Sequence, residues 1–302
     1  MYQVNSPILL IIFNRPNETQ LVFDAIRKVK PAKLYIAADG PRSSRLKEAE
    51  LCKKAIGIVS KIDWPCNIET LYHQSNLGCK YAVSAAINWF FKNELEGIIL
   101  EDDCLPSELF FEYCDTLLNK YRDDTRINHI SGAKLNKRVS SPEYTYYYSR
   151  ITQVWGWATW RRVWDFYNLE MTNLNDIKPS FFNNIFRDLK VSKHLYNQFN
   201  LTKNGYVDTW DYQYGFSNFI SYGLSINPNF NLISNIGFNE NATHTTAANS
   251  KFALQPFEQY EEMIHPRFMI PDLEGDIKYL KNQIPSFIPK LKQAIKKIAK
   301  NG

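Results

Sequence analysis

A chain of 302 residues with 44% apolar and 15% aromatic content can bury a full core, which excludes the disordered class. Its net charge of +5 and pI near 8.7 are a mild excess, much of it at the C-terminus. With no zinc-finger spacing and no RNA-binding aromatic signature, no nucleic-acid partner is expected.

The N-terminus "MYQVNSPILLIIFNRP" lacks a basic region and a cleavage site, so it reads as no signal peptide. Its apolar run, Ile8 to Phe13, is far shorter than the ~20 residues a membrane span needs, and it reads as a buried strand. Helical spacing follows over Glu18–Val29, carried by Leu21, Val22, Ala25, Ile26 and Val29. A second strand is predicted at Leu34–Ala38, ended by the turn signal "DGPR", then a helix through Ala49–Val59 and a strand near Ile68–Tyr72. After "HQSNLG" a further helix carries Ala82, Ala86, Ile87 and Phe90, and a strand at Gly97–Leu100 closes the alternation. Strands alternating with helices predict an α/β fold with a mostly parallel, Rossmann-like sheet covered on both faces. From about Tyr144 the chain turns aromatic, in "TYYYSR", "VWGWATWRRVW" and "YVDTWDYQYGF", which predicts a second lobe packed on the first. The five cysteines, Cys52, Cys66, Cys79, Cys104 and Cys114, form no CxxC pair and read as reduced thiols of a cytoplasmic protein.

Ligands of such sheets bind beyond the carboxyl ends of the strands. Four segments are predicted there: Asn14-Arg15, Asp39-Gly40, His73 to Gly78, and the triplet Glu101-Asp102-Asp103. Three adjacent carboxylates after an apolar run repel one another and are costly to desolvate unless a cation is present. Either the run ends in open water or it holds a cation, and the arginine loop at Arg15 favours the cation. Hard oxygen ligands select Mg²⁺ or Mn²⁺, commonly through one or two carboxylates plus phosphate oxygens. A nucleoside-diphosphate leaving group needs such an ion, and Arg15 supplies a second positive group for it.

"PILLIIFNRP", "LYIAADGPR", "GIILEDDCLPSELFFEY", "VWGWATWRRVW" and "DTWDYQY" with "NLISNIGFNENATHT" together resemble a bacterial family of nucleotide-diphospho-sugar transferases. That family is similar to the N-acetylglucosaminyltransferase I group and implies the GT-A fold. The likeness runs roughly from Pro7 to Thr245. It implies Asp103 as the direct metal ligand, Asp102 near the ribose and metal waters, and Glu101 near the donor sugar. It also implies Asp39 as the acid contacting uracil, Arg15 as a donor-binding arginine, Asp211 as catalytic base and Trp210 as the ring beside the transferred sugar. His244, in "ATHT", falls in the loop that covers the diphosphate in such enzymes.

Beside this, an inverting transfer needs a carboxylate to take the acceptor hydroxyl's proton. Asp211 competes for that role with Asp208, three residues earlier, which also reads as a helix N-cap with Asp211 at N3. Trp155 and Trp157, flanking Gly156, read equally as lobe packing or as substrate contacts.

The function expected is a metal-dependent inverting glycosyltransferase of surface-polysaccharide assembly, using a UDP-sugar and a glycan or lipid-linked acceptor. A nucleotidyltransferase and a non-catalytic nucleotide-sugar binding protein are the alternatives. The expected organisation is a GT-A domain over 1–250, divided into a nucleotide-binding half (1–143) and an acceptor half (144–250), and an extension over 251–302. In that extension Ile284, Ile288, Leu291, Ile295 and Ile298 share one helical face opposite Lys290, Lys292, Lys296, Lys297 and Lys300. A basic amphipathic helix from about Pro289 is predicted. It either lies on an anionic membrane, making the enzyme peripheral on the inner face of the plasma membrane, or packs on the domain.

Overall fold

The computed structural model describes residues 2–134, 143–237 and 254–284. The first half follows the predicted alternation. Strand β1 (Ile8–Ile12) is wholly buried. Helix α1 (Pro16–Val29) starts two residues before the expected Glu18, because Pro16 suits the first turn, where no N–H is needed. β2 (Lys33–Ala38), α2 (Glu48–Val59), β3 (Asn67–Tyr72), α3 (Cys79–Asn93) and β4 (Glu96–Glu101) follow. The short β5 (Cys104–Pro106) and α4 (Glu108–Lys120) continue this half.

β6 (Ile127–Ser131), for which the sequence predicted no element, ends the first half, and the aromatic half contributes strands that its composition concealed, β7 (Tyr146–Ser149) and β8 (Trp157–Trp160). Helices α5 (Arg161–Trp164), α6 (Pro179–Phe186), α7 (Leu189–Lys203) and α8 (Asp211–Ile220) come next. β9 (Leu224–Pro228), β10 (Ile233–Asn235) and α9 (Leu273–Gln283) end the described chain.

Among the described residues the main sheet has eight strands in the order β3-β2-β1-β4-β8-β6-β9-β7, and β5 pairs with β10 beside it. β1 to β4 are parallel, as are β6 and β9, whereas β8 runs antiparallel between β4 and β6 and β7 runs antiparallel on β9. The sheet is therefore mostly parallel and Rossmann-like, flanked by helices. Cover on both faces fails at β3, an edge strand whose residues are mostly exposed.

Register places the site. Ile12 pairs with Ala38, Ala38 with Tyr72, and Ile11 with Glu101. The residues following β1, β2, β3 and β4 therefore emerge level with one another at one edge.

The large core lies between this sheet and helices α1, α3 and α4, with Phe90, Phe110 and Trp160 fully buried in it. A second core of Phe182, Phe186, Phe199, Phe216 and Phe219 joins α6, α7 and α8, and Leu280 of α9 is part of it. The segment before α9 runs along β7, where Thr145 and Ile264 exchange hydrogen bonds and Tyr148 bridges Pro271. α9 is capped by Asp272, which accepts the N–H of Gly275 at 3.0 Å. The amphipathic helix predicted from Pro289 lies outside the described residues. No helix among the described residues is long and apolar enough to cross a membrane.

Candidate active site

The acidic triplet ends β4 against the arginine that follows β1. Nη1 of Arg15 donates to Oδ1 of Asp102 at 3.0 Å and to Oδ2 of Asp103 at 2.6 Å. The N–H of Phe13 donates to the other Asp102 oxygen at 2.9 Å. Burial, with the charges of Asp103, Asp102 and Asp211 beside it, pushes the Glu101 carboxyl above the usual range, and Arg15 pulls it the other way. Burial also raises Asp102, against Arg15 and the Phe13 hydrogen bond. Burial disfavours the charge of Arg15, but Asp102 and Asp103 outweigh it and hold the guanidinium firmly protonated.

Asp103 is fixed from the far side by β10. Its carbonyl accepts the N–H of Ile236 at 2.8 Å. A Cβ at Gly237 would sit 2.1 Å from Oδ2 of Asp103, so only glycine lets the chain pass this close.

Asp39 emerges beside the triplet with both oxygens engaged by the chain. Oδ1 accepts the N–H groups of Gly40 at 2.8 Å and Leu77 at 2.9 Å. Oδ2 accepts Asn76 Nδ2 at 2.8 Å and the N–H of Gly78 at 3.1 Å. These four donors fill a carboxylate's acceptor capacity, so Asp39 shapes the turn at 76–78. The uracil contact implied by the resemblance requires one of these donors to give way. Next to it Arg42 pairs with buried Glu48, which also accepts from Asn14 at 2.9 Å, and the guanidinium lies 5.4 Å from the Phe13 ring centre. Neither Arg42 nor Glu48 was singled out in the sequence, and the "DGPR" turn was the signal for the first.

Asp211 enters from the second half as the first residue of α8. Its Oδ1 accepts a short hydrogen bond from the Thr209 hydroxyl and the N–H of Tyr212 at 2.9 Å. Both donors engage the same oxygen, which leaves Oδ2 as the face for a substrate. The cap position belongs to Trp210 and not to Asp208, which corrects the expected cap; Asp208 is exposed and lies outside the helix. Its Oδ2 instead sits near the start of α3, where a Cβ on Gly78 would lie 3.7 Å away. Burial and the charges of Glu101, Asp211, Asp208 and Asp103 raise the thiol of Cys79, the first residue of α3. Carboxylates from β4 and from the approach to α8 thus face one helix end.

Trp210 is buried and stacks on Trp157, ring centres 5.6 Å apart, so its ring packs into the core. Trp157 belongs to the core, whereas Trp155 lines a cavity. The two differ because Gly156, at φ +59°, turns the chain between them. His244 lies outside the described residues.

That cavity, about 220 Å³, opens on Asp211 between the segment 151–155 and helices α7, α8 and α9. Gln153, Gln198, Tyr279 and Gln283 line it, and none was anticipated from sequence. The one signal available was Leu273, Ile277 and Leu280 behind the capping residue Asp272, a helical spacing that marks α9.

The residues suit a hard divalent cation in one respect. Two carboxylates, Asp102 and Asp103, share a single guanidinium, leaving negative charge for a cation to offset. Among the described residues no group of three or more His, Cys, Asp or Glu side chains is arranged to hold a metal by itself. The donor set fits an ion held by one carboxylate with phosphate and water completing its shell.

No family model matches the chain, and no curated protein matches it in sequence. Among solved structures, 57% of the chain is similar to 79% of 4-diphosphocytidyl-2C-methyl-D-erythritol synthase from Anaerococcus prevotii, at 13% identity and a TM-score of 0.34. A UDP-glucose pyrophosphorylase complexed with UDP-glucose matches 57% of this chain over 80% of its own, at 11% identity and a TM-score of 0.30. An apo UDP-glucose pyrophosphorylase matches 68% of this chain over 88% of its own, at 9% identity and a TM-score of 0.29. Overlaps this slight leave the chemistry of the chain to its own residues.

Proposed function

We propose that the protein is a metal-dependent inverting glycosyltransferase of the GT-A type, moving a sugar from a UDP-sugar to a hydroxyl of a glycan or lipid-linked acceptor. Surface-polysaccharide assembly at the cytoplasmic face of the membrane is the setting that the family resemblance implies. The observation that carries this reading is the placement of Asp211, with a cavity at its carboxylate, close enough to Glu101 for their charges to interact.

In this reading Asp103 would hold Mn²⁺ or Mg²⁺, and Arg15 binds the phosphates. The ion, when bound, offsets the charge that develops on the departing diphosphate. Two unit charges ~4 Å apart interact by about 4 kcal/mol at an effective dielectric of 20, so Arg15 alone contributes materially to the same end. Asp102, held by Phe13 and Arg15, positions that arginine. Asp39 orders the turn beside the base, and Glu101 faces the donor sugar. Asp211, its Oδ1 fixed by Thr209 and Tyr212, takes the acceptor proton on Oδ2 while the acceptor oxygen attacks from the face opposite the diphosphate. Trp210 is the ring that the resemblance implies beside the transferred sugar, and His244 is assigned to the diphosphate.

A nucleotidyltransferase making a nucleotide sugar is the second reading, favoured by the same cluster of Arg15, Asp102 and Asp103, which also suits a triphosphate. The connection from β1 to α1, Phe13-Asn14-Arg15, carries no glycine for a phosphate loop and weighs against it. A thermal-shift panel of nucleotides and nucleotide sugars with and without Mn²⁺ tests the common part, and product analysis separates the two. Metal-dependent stabilisation by UDP and release of UDP are expected. Pyrophosphate release would establish the second reading, and no nucleotide response would overturn both.

A further inference from the structure

We propose that the cavity at Asp211 is a subsite for one neutral sugar residue of the acceptor, with α9 as its selective wall. The inference rests on the transferase reading and goes beyond it by naming the acceptor's chemistry.

Size is the first argument. At about 220 Å³ the cavity is smaller than the ~300–1,000 Å³ typical of drug-sized ligands, which suits a single sugar ring. Its lining is the second. Gln153, Gln198 and Gln283 present side-chain amides, each both donor and acceptor. Sugar hydroxyls are likewise both. The rings of Trp155, Tyr212 and Tyr279 supply the flat apolar surface on which the C–H face of a pyranose packs.

Charge is the third argument. Among the described lining residues Asp211 is the one carboxylate, and none is Lys or Arg. His194 also lines it, and burial lowers its pKa, which favours the neutral ring. A carboxylated sugar would meet Asp211 without a counterion among the described residues, and like charges disfavour that. The subsite therefore selects against uronic acids.

Gly215 supplies the fourth. It follows Asp211 by one turn of α8 and so lies on the same face. A Cβ there would meet Thr152 Oγ1 at 3.4 Å, and the missing side chain keeps the wall open next to the carboxylate. α9 is held firmly enough to act as the opposite wall. Asp276 accepts Ser149 Oγ at 2.5 Å and the N–H of Arg150 at 2.7 Å, and the Tyr279 hydroxyl donates to Gln153 Oε1 at 3.3 Å.

Saturation-transfer NMR on the full chain tests this, with methyl glycosides of glucose, galactose, mannose, rhamnose and N-acetylglucosamine as probes, and methyl glucuronide as the charged control. At least one neutral glycoside is expected to give a signal and the glucuronide none. Gly215→Leu, which fills the space, and Gln283→Ala, at the exposed end of α9, should each weaken the neutral probe at least about tenfold. Stabilisation by UDP and Mn²⁺ should be unchanged in both variants, which also shows them folded. No signal from any neutral glycoside, or binding undiminished in both variants, would overturn the subsite. If UDP stabilises the protein and no glycoside binds, the subsite falls and the transferase reading stands. If glycosides bind as expected and no nucleotide does, the transferase reading falls and the cavity stands as a sugar site.

Discussion

One nitrogen of Arg15 is shared between Asp102, at 3.0 Å, and Asp103, at 2.6 Å, so the end of β1 is tied to the end of β4 by a single guanidinium. Both acids are mostly buried, and the arginine is their cationic partner in the described structure. Removing it leaves carboxylates facing one another. Arg15→Met should cost roughly 1–3 kcal/mol, between the exposed and the fully buried limits for a broken pair. Mn²⁺ should restore more of the melting temperature in this variant than it adds to the wild type. A variant that melts like the wild type with and without Mn²⁺ would show that the pair is incidental.

Asp103→Asn keeps the shape of the side chain and removes its charge. UDP affinity in saturating Mn²⁺ should fall at least about tenfold, since a contact to a charged group is worth ~1.5–3 kcal/mol. Calorimetry measures it, and equal affinities would remove Asp103 from the metal site.

Asp211→Asn should leave UDP binding near normal and reduce transfer by at least about a hundredfold, the lower end for a lost general base. Thr209→Val should reduce transfer less, because it frees Oδ1 without removing the base. Asp208→Asn should change stability by no more than about 0.5 kcal/mol, as for an exposed side chain that caps nothing. A swap of the Asp208 and Asp211 phenotypes in single-turnover assays would make Asp208 the base.

Burial raises the Asp276 carboxyl from its ordinary 3.8 to about 7, against the hydrogen bonds from Arg150 and Ser149. The folded state thus prefers the protonated acid. Its contribution is complete below the unfolded value and is lost as pH rises through the folded one. Each pH unit in that window is worth up to about 1.4 kcal/mol. Relative to Asp276→Asn, the wild type should lose stability between about pH 4 and pH 7 and run parallel above. Urea unfolding at stepped pH would show it, and parallel curves throughout would place the carboxyl in an ordinary environment.

Gly156 combines φ +59° with a position where a Cβ would fall 2.4 Å from Ile233 Cδ1. Gly156→Ala should destabilise by at least about 1–3 kcal/mol, read from the urea midpoint. An unchanged midpoint would mean that β8 and β10 can separate freely.

The alternating half was legible because each of its elements carries its own period, and register then placed Arg15, Asp39 and the triplet at one edge. The aromatic half was not. β6 to β9 pair out of chain order, with β8 inserted between β4 and β6, and no local pattern in "VWGWATW" encodes that partnership. Asp208 misled because Asp before an aromatic run is a good cap by residue type, whereas the chain starts its helix at Asp211. The cavity was invisible for a similar reason. Gln153, Gln198 and Gln283 are scattered along the chain, and only the joint packing of α7, α8 and α9 brings them together.

The wall that α9 provides has a consequence for biosynthesis. Every other described segment around Asp211 is made earlier, and the β4 end with Arg15 earlier still, so a chain still being translated possesses these acids long before Tyr279 and Gln283 exist. Until those last turns dock through Asp276, the groove beside Asp211 stands open to water. A chain cut before Leu273 should therefore keep the pairing of Arg15 with Asp102 and Asp103 yet leave the Asp211 side uncovered.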